Sequence, residues 1–495
     1  MSLMQTRTTV LAILLMGSAA CESSDPLRLQ LATQIASANG NGQVGEAGGV
    51  LPIPLSVLAT DAEGNPVADV AMSWSVVSGG GSVTPTSSTN SSGIAQAVFT
   101  LGATLGEQTV QAQTTGLSSV VFTATAIAAG TGLSVLGGGN NVDERFSSDL
   151  WVHGNYAYTG TWGFREEGGN TLKVWSLGAG GAPTLVGSVA VPDIGTVSDV
   201  QVSDDGQLLV LSGEAGIDGG IYLYSLSNPA APSFLSSALV GEVGVHTVTL
   251  SRINDRLYAF AARNPGFPEE AATDPALLIY DVTDPEAPTL VATERFPERN
   301  YGIHDTFVRD GIAFAFVWNN PGLVIYDVGN GIRGGSPSAP VEISRLITAT
   351  NGVCCGPSMH NGWWFHNPVT SERRYLFIGQ EGAATIGSNS SGDIHVVDVS
   401  DLAQPVEVAF FHLNGAGTHN FWMDEEGQIL YAAYYNGGVV AIDVSGTLTG
   451  NLAGRMLDQV RPGGAGNTFT WGVQLANGFL YAIDMVSGLW QLSTE

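Results

Sequence analysis

From Leu277 the chain reads LLIYDVTDPEAPTLV: an apolar run closed by Asp, a polar turn carrying Pro, then a second short apolar run. The same order returns at Ile221–Leu235 (IYLYSLSNPAAPSFL) and at Asp393–Val408 (DIHVVDVSDLAQPVEV). Shorter copies stand at Leu323–Val328 (LVIYDV) and Val439–Ser445 (VVAIDVS). Short apolar runs bounded by turn residues predict strands. A strand unit of this kind cannot bury its apolar face alone, so copies must stack on one another. The period is roughly fifty residues, the range of propeller blades.

The intervening sequence completes the unit. Seven inner strands are expected near Leu150–Val152, Val200–Val202, Thr247–Leu250, Thr306–Val308, Gly362–Phe365, Phe421–Met423 and Gly472–Leu475. A second strand follows each, as at Leu257–Ala261, Tyr375–Ile378, Leu430–Ala433 and Phe479–Ile483; the IYDV-like third and the PTLV-like fourth come next. Seven four-stranded units predict a seven-bladed β-propeller over 140–495. The last unit stops after its third strand, Leu489–Leu492, while a lone strand, Leu133–Gly137, precedes the first. An open edge invites pairing with other chains. Leu133–Leu136 is therefore expected to close the last blade.

Residues 29–127 have a different texture, rich in Thr, Val and Ser. Alternation predicts strands at Ile53–Leu58, Ala71–Val77, Ala95–Thr100, Gln108–Thr114 and Ser119–Thr125, with a turn at Asp61–Pro66. About seven short strands in roughly a hundred residues suit a β-sandwich, with Trp74 in its core. The chain is thus expected to be all-β: a sandwich at 29–127, a linker and closing strand at 128–139, and the propeller.

Composition adds an export reading. Arg7 precedes the apolar run Val10–Met16, which is too short to span a bilayer and reads as the core of a signal peptide over 1–20. Residues 21–28 form a tether. The formal net charge is −28 and basic residues are scarce, with Lys173 the single lysine. Such a chain is repelled by phosphates, so nucleic acid is excluded as a partner. Beyond Cys21, the cysteines are the adjacent pair Cys354 and Cys355, which suit either a vicinal disulfide or two buried thiols.

Three resemblances carry family names. Ser18-Ala19-Ala20-Cys21 resembles a bacterial lipobox, with Ser18 where Leu is usual; this implies a lipidated Cys21 and a lipoprotein held in the cell envelope, on the outer membrane or cell surface. Ordinary signal-peptidase cleavage nearby is the alternative. LSVLATDAEGNPVADVAMSWSV and GIAQAVFTLGATLGEQTVQA resemble the bacterial Ig-like domains of invasin-type surface proteins, which serve as spacers and stalks. LLIYDVTDPEAPTLVA and its copies resemble the LVIVD repeats of bacterial exported proteins. That resemblance implies fold rather than activity.

Candidate chemistry concentrates in histidine. Four of the eight, His246, His304, His360 and His419, stand just before consecutive inner strands, spaced by 58, 56 and 59 residues. Equivalent blade positions lie on one ring around the axis, so the four imidazoles are expected at the channel mouth, with Asp149, Asp199 and Trp471 nearby in register. Imidazole suits Cu, Fe or Zn. Asp305, Asn361, Asn420 and Glu381 are candidates to orient the ligating rings. The same pattern suits hydrogen bonds to the neighbouring blade, or substrate contact. Axial four-His sites resemble those of carotenoid-cleaving propeller oxygenases, and copper-binding propellers similar to selenium-binding proteins also use axial histidines; both likenesses are architectural. Glu214, Arg263-Asn264 and Trp318-Asn319-Asn320 are candidates for the same mouth, and the loops at Asn264–Pro275 and Gly329–Pro340 are long. Trp363-Trp364-Phe365-His366 is read as core packing, and Asp204-Asp205-Gly206 as a hairpin turn. The chain has no GxSxG, HExxH, P-loop or dinucleotide fingerprint. The expected function is an envelope-anchored binding or adhesion-like propeller on a spacer, taking a protein or carbohydrate ligand; the alternative is a metal-dependent oxidoreductase or hydrolase.

Overall fold

The structure is a computed structural model that describes residues 31–104, 106–127, 132–142, 146–163, 168–178, 181–264, 275–296, 302–318, 322–349 and 358–494. The signal segment, Cys21, the linker to residue 131, Asn319-Asn320, most of the Asn264–Pro275 loop and the Cys354-Cys355 pair lie outside them.

Residues 34–127 form two main sheets. One joins Gln34–Asn39, Leu55–Thr60 and Ile94–Ala97; the other orders Gln43–Glu46, Val120–Ile127, Gly106–Gln113, Ala71–Ser78 and Thr86–Ser88. Alternation along each strand turns Val57, Trp74, Val110 and Phe122 into one shared core. Trp74 is buried as expected: its ring meets Phe122 at 5.7 Å, and its indole N–H donates to Ser87 Oγ at 2.9 Å.

From Ser134 onward the described residues build seven four-stranded antiparallel sheets in succession; the fifth takes on an extra short strand, Gly450–Asn451. Their inner strands are β1 (Phe146–His153), β2 (Thr196–Val202), β3 (Thr247–Ile253), β4 (Ile303–Arg309), β5 (Met359–Phe365), β6 (Phe421–Asp424) and β7 (Thr470–Ala476). Each inner strand packs on the next, and β7 returns to β1, so the circle closes around an axis. This is a β-propeller. The apolar runs of the repeat are the buried middle strands: Ile279, Ile325, Val396 and Val440 are fully buried, packed between neighbouring sheets.

The recurrent Asp of the repeat has a shared structural task. Asp281, Asp327, Asp398 and Asp443 each end a third strand and accept the backbone N–H two residues on, from Thr283, Gly329, Ser400 and Ser445, at 2.8–3.0 Å. This Asx turn reverses the chain into the fourth strand. Around Asp327 it grows into an organiser of the Gly329–Pro340 loop, because Gly331, Arg333 and Gly335 donate to the same carboxylate.

The strand Ser134–Gly138 pairs antiparallel with Gly488–Ser493, bringing Ser134 opposite Ser493. The last sheet thus joins the two ends of the repeat region. Asn141 pins the junction, accepting from Leu489 N at 3.1 Å and donating to Leu489 O at 3.2 Å.

Candidate metal centre

In a regular strand neighbouring side chains face opposite ways, so consecutive residues cannot both reach the axis. The inner strands break this rule at their first turn. The pairing register slips between Ile303 and Asp305 in β4, between Met359 and Asn361 in β5, and between Thr470 and Gly472 in β7. β1 slips between Ser147 and Leu150, and β2 between Val197 and Val200. A bulge re-aims the extra residue. Two stacked rings of side chains result.

The upper ring is aromatic. Trp162, His246, His304, His360, His419 and Trp471 follow one another with centroids 6.1, 4.3, 4.0, 4.0 and 4.1 Å apart, and Trp471 returns to Trp162 at 5.3 Å. Trp471 holds the histidine position in its strand, as expected. Asp149 and Asp199 do not: Ser148 and Ser198 hold it in β1 and β2, and the two aspartates fall one residue later, level with Asp305, Asn361 and Asn420.

The four histidines do not share one centre. His304 Nε2 and His360 Nε2 stand 3.8 and 3.9 Å from Glu381 Oε2, and one donor atom from each of these three residues lies within 4.8 Å of the others. His246 Nε2 adds a contact of 2.9 Å to His304 Nε2. His419 turns away, its Nδ1 donating to the Trp471 carbonyl at 2.6 Å. Glu381, expected to support the ligands, is therefore itself one of the converging donors. It sits just past the second strand Tyr375–Gln380, which pairs with β5, and that pairing carries it to the mouth. Metal–ligand bonds of about 2.0–2.2 Å separate cis ligands by about 3 Å and trans ligands by about 4 Å. The 3.8 and 3.9 Å separations from Glu381 fall at the long end of that range.

Supporting contacts orient these donors. Glu214 Oε2 lies 3.0 Å from His246 Nδ1, and Ser198 Oγ lies 3.2 Å from the same atom, so Nε2 is the nitrogen turned toward His304. Tyr435 donates to Glu381 Oε1 at 2.5 Å, leaving Oε2 for the histidines. Trp318 stacks on His304 at 5.1 Å. The mouth role expected of Glu214 and Trp318 is thus met, and no sequence pattern marked Tyr435.

Burial dominates the electrostatics of the site. Burial, reinforced by the neighbouring imidazoles, pushes His304 and His360 well below the usual histidine range, so both stay neutral with lone pairs available. Burial takes His419 down to about 3. Burial also pulls His246 down, but the Glu214 carboxylate outweighs it and the net shift is upward. Burial raises Glu381. His360 is 1% exposed, and neither its ring nitrogens nor His304 Nδ1 make a well-aligned hydrogen bond among the described residues. Leaving a buried polar atom unsatisfied costs about 1–3 kcal/mol.

The lower ring holds Asp149, Asp199, Asp305, Asn361 and Asn420. Asp305 and Asn420 line the channel below the histidines, while the Asn361 side chain also reaches His360 as a hydrogen-bond partner. Asn361 donates to Asn420 Oδ1 at 3.2 Å, and Asn420 to Asp149 Oδ2 at 3.0 Å. Gly472 takes the equivalent place in β7; a Cβ there would lie 2.6 Å from Asp149 Oδ1, so glycine makes the room. Burial raises all three carboxyls, Asp305 to about 8. Trp364 and Phe365 are core residues as expected, but Trp363 lines the channel.

The LVIVD repeat profile matches residues 144–164 and 389–412. No curated protein matches the chain. Among solved structures, the β-propeller domain of Cps50 (Swd1) from Myceliophteria thermophila is similar at a TM-score of 0.47 and 12% identity, over 72% of this chain and 98% of that one.

Proposed function

We propose that this LVIVD-repeat β-propeller is a seven-bladed metal-binding protein, exported and lipid-anchored at Cys21, with an Ig-like sandwich as the spacer that displays it. The observation that carries the metal reading is the convergence of one donor atom each from His304, His360 and Glu381, all buried or half-buried, within 4.8 Å of one another. Two imidazoles and one carboxylate are the donor set of non-haem iron sites and of catalytic zinc sites. Three protein ligands leave coordination positions open. An ion held there would supply Lewis acidity and lower the pKa of a bound water. In its neutral form His246 is placed to act as a fourth ligand or as a base beside the ion. Tyr435 and Glu214 orient Glu381 and His246. The aromatic belt restricts water around the site, which strengthens every charge interaction inside it.

The test is metal analysis of the mature, tag-free protein after loading with Fe(II), Zn(II) or Cu(II) and desalting. About one equivalent of one metal is expected, falling at least tenfold in His304→Ala, His360→Ala and Glu381→Ala. Wild-type metal content in all three variants overturns the assignment.

The spacer reading rests on the separate core of residues 34–127 and on its thin polar attachment, such as Asn414 Nδ2 donating to Thr123 Oγ1 at 3.3 Å. The anchor is tested by Cys21→Ser, which is expected to move the exported protein from the detergent phase to the aqueous phase.

A further inference from the structure

Past the two rings, the channel widens into a cavity of about 240 Å³. Its walls are aromatic. Phe307, Trp363, Trp422 and Trp151 each stand three residues beyond the ring position of their strands and form a continuous arc, with centroids 5.2, 5.2 and 6.0 Å apart. All four keep part of their surface exposed. Its floor is the lower ring, with Asp149, Asp199 and Asp305. No Lys, Arg or His lines it. Asn361 lies in the same lining, 5% exposed. A larger opening follows, where Arg309 is neutralised by Glu425 through contacts of 2.5 and 3.2 Å.

We propose that this cavity binds a small organic cation, an alkylated ammonium whose charge meets the carboxyl floor and whose alkyl groups pack against the indoles. The chemistry is selective on three counts. Aromatic faces attract cations and repel anions, and boxes of several rings hold methylated ammonium groups. The floor offers carboxyl groups and the lining holds no basic side chain, so the cavity favours a cation over an anion. A single metal ion fits poorly: among the described residues, the one group of three metal-type ligands with donor atoms within 4.8 Å is His304, His360 and Glu381. Asp149 and Asp199 hydrogen-bond to each other while Asp305 stands on another blade, so a polyatomic cation suits the floor better than a single ion. The volume, about that of eight waters, suits a group of this size. The site is separate from the histidine belt, and its assignment does not rest on the metal reading.

The experiment is calorimetric titration of the mature protein with choline chloride, and with 3,3-dimethyl-1-butanol as the neutral analogue of the same shape. Indole fluorescence is followed in parallel. Choline is expected to bind with a dissociation constant below about 1 mM, and the neutral analogue at least tenfold more weakly. Asp199→Asn and Trp422→Leu are each expected to weaken choline at least tenfold, with metal content and melting curve unchanged. Trp422→Phe, which keeps an aromatic ring, should stay within a few-fold of wild type. Equal binding of the two probes, or no binding of choline, overturns the proposal. So does displacement of choline by potassium at equal concentration with Trp422→Leu unaffected, which would make the floor an inorganic-cation site.

Discussion

The Nε2 atoms of His246 and His304 face each other at 2.9 Å across 58 residues of chain. Glu214 occupies the Nδ1 side of His246, while His304 Nδ1 makes no well-aligned hydrogen bond among the described residues. One proton between the two Nε2 atoms satisfies that pair and nothing else. An ion beside them also engages His360, whose ring nitrogens otherwise make no well-aligned hydrogen bond among the described residues.

His360→Leu separates those two states. Without metal, the variant loses a buried imidazole that lacks well-aligned hydrogen bonds and fills the space with apolar volume. Its melting temperature in chelator should equal or exceed that of wild type, because an unpaired buried polar group costs about 1–3 kcal/mol. With metal present the order should reverse, since only a protein that binds the ion gains stability from it. A large loss of stability in chelator would show that the ring packs as a structural element.

Tyr435→Phe removes the hydroxyl that donates to Glu381 Oε1. The fold should persist, because the phenyl ring remains stacked 4.3 Å from Phe469. Metal affinity should fall by about 10–100-fold, the usual penalty for losing a ligand-orienting contact. Competition with a metallochromic chelator measures it. Unchanged affinity would mean that Glu381 is not a ligand.

Asp327 gives a pH-dependent stability term. Burial pushes its carboxyl up, but backbone N–H donors from Arg333, Gly329, Gly335 and Gly331 outweigh it and hold it at about 2. A depressed carboxylate pKa contributes stability above the unfolded value near 3.8, lost as pH falls toward 2. The shift corresponds to about 2 kcal/mol. Asp327→Asn should therefore cost about that much in urea unfolding at pH 7, and the gap from wild type should narrow between pH 4 and pH 2. A constant gap would contradict the role of the charge.

Asn141→Ala tests the junction of the two ends of the propeller. It removes both hydrogen bonds to Leu489 and should cost about 1–3 kcal/mol in one cooperative transition of the whole ring. Deletion of residues 130–138 removes the pairing with Gly488–Ser493 and should abolish that transition. An unchanged melting temperature in the deletion would show that the ring does not depend on this strand.

The sequence by itself determined the repeat, its strand order and the blade-to-blade spacing of the histidines. Those features are written in local alternation and in turn residues such as Asp281 and Asp443, whose turn-forming hydrogen bonds reach two residues along the chain. Tertiary structure decided which side chains meet. The bulge at His304 turns both it and Asp305 toward the axis, against the alternation that strand periodicity predicts. His419 is spent on a carbonyl of the neighbouring sheet. Glu381 and Tyr435 reach the centre from outside the inner strands, and Trp363 leaves the core for the channel. A one-residue slip in register flips a side chain to the other face of a sheet. That slip depends on the packing of neighbouring sheets around the axis, which local sequence does not encode.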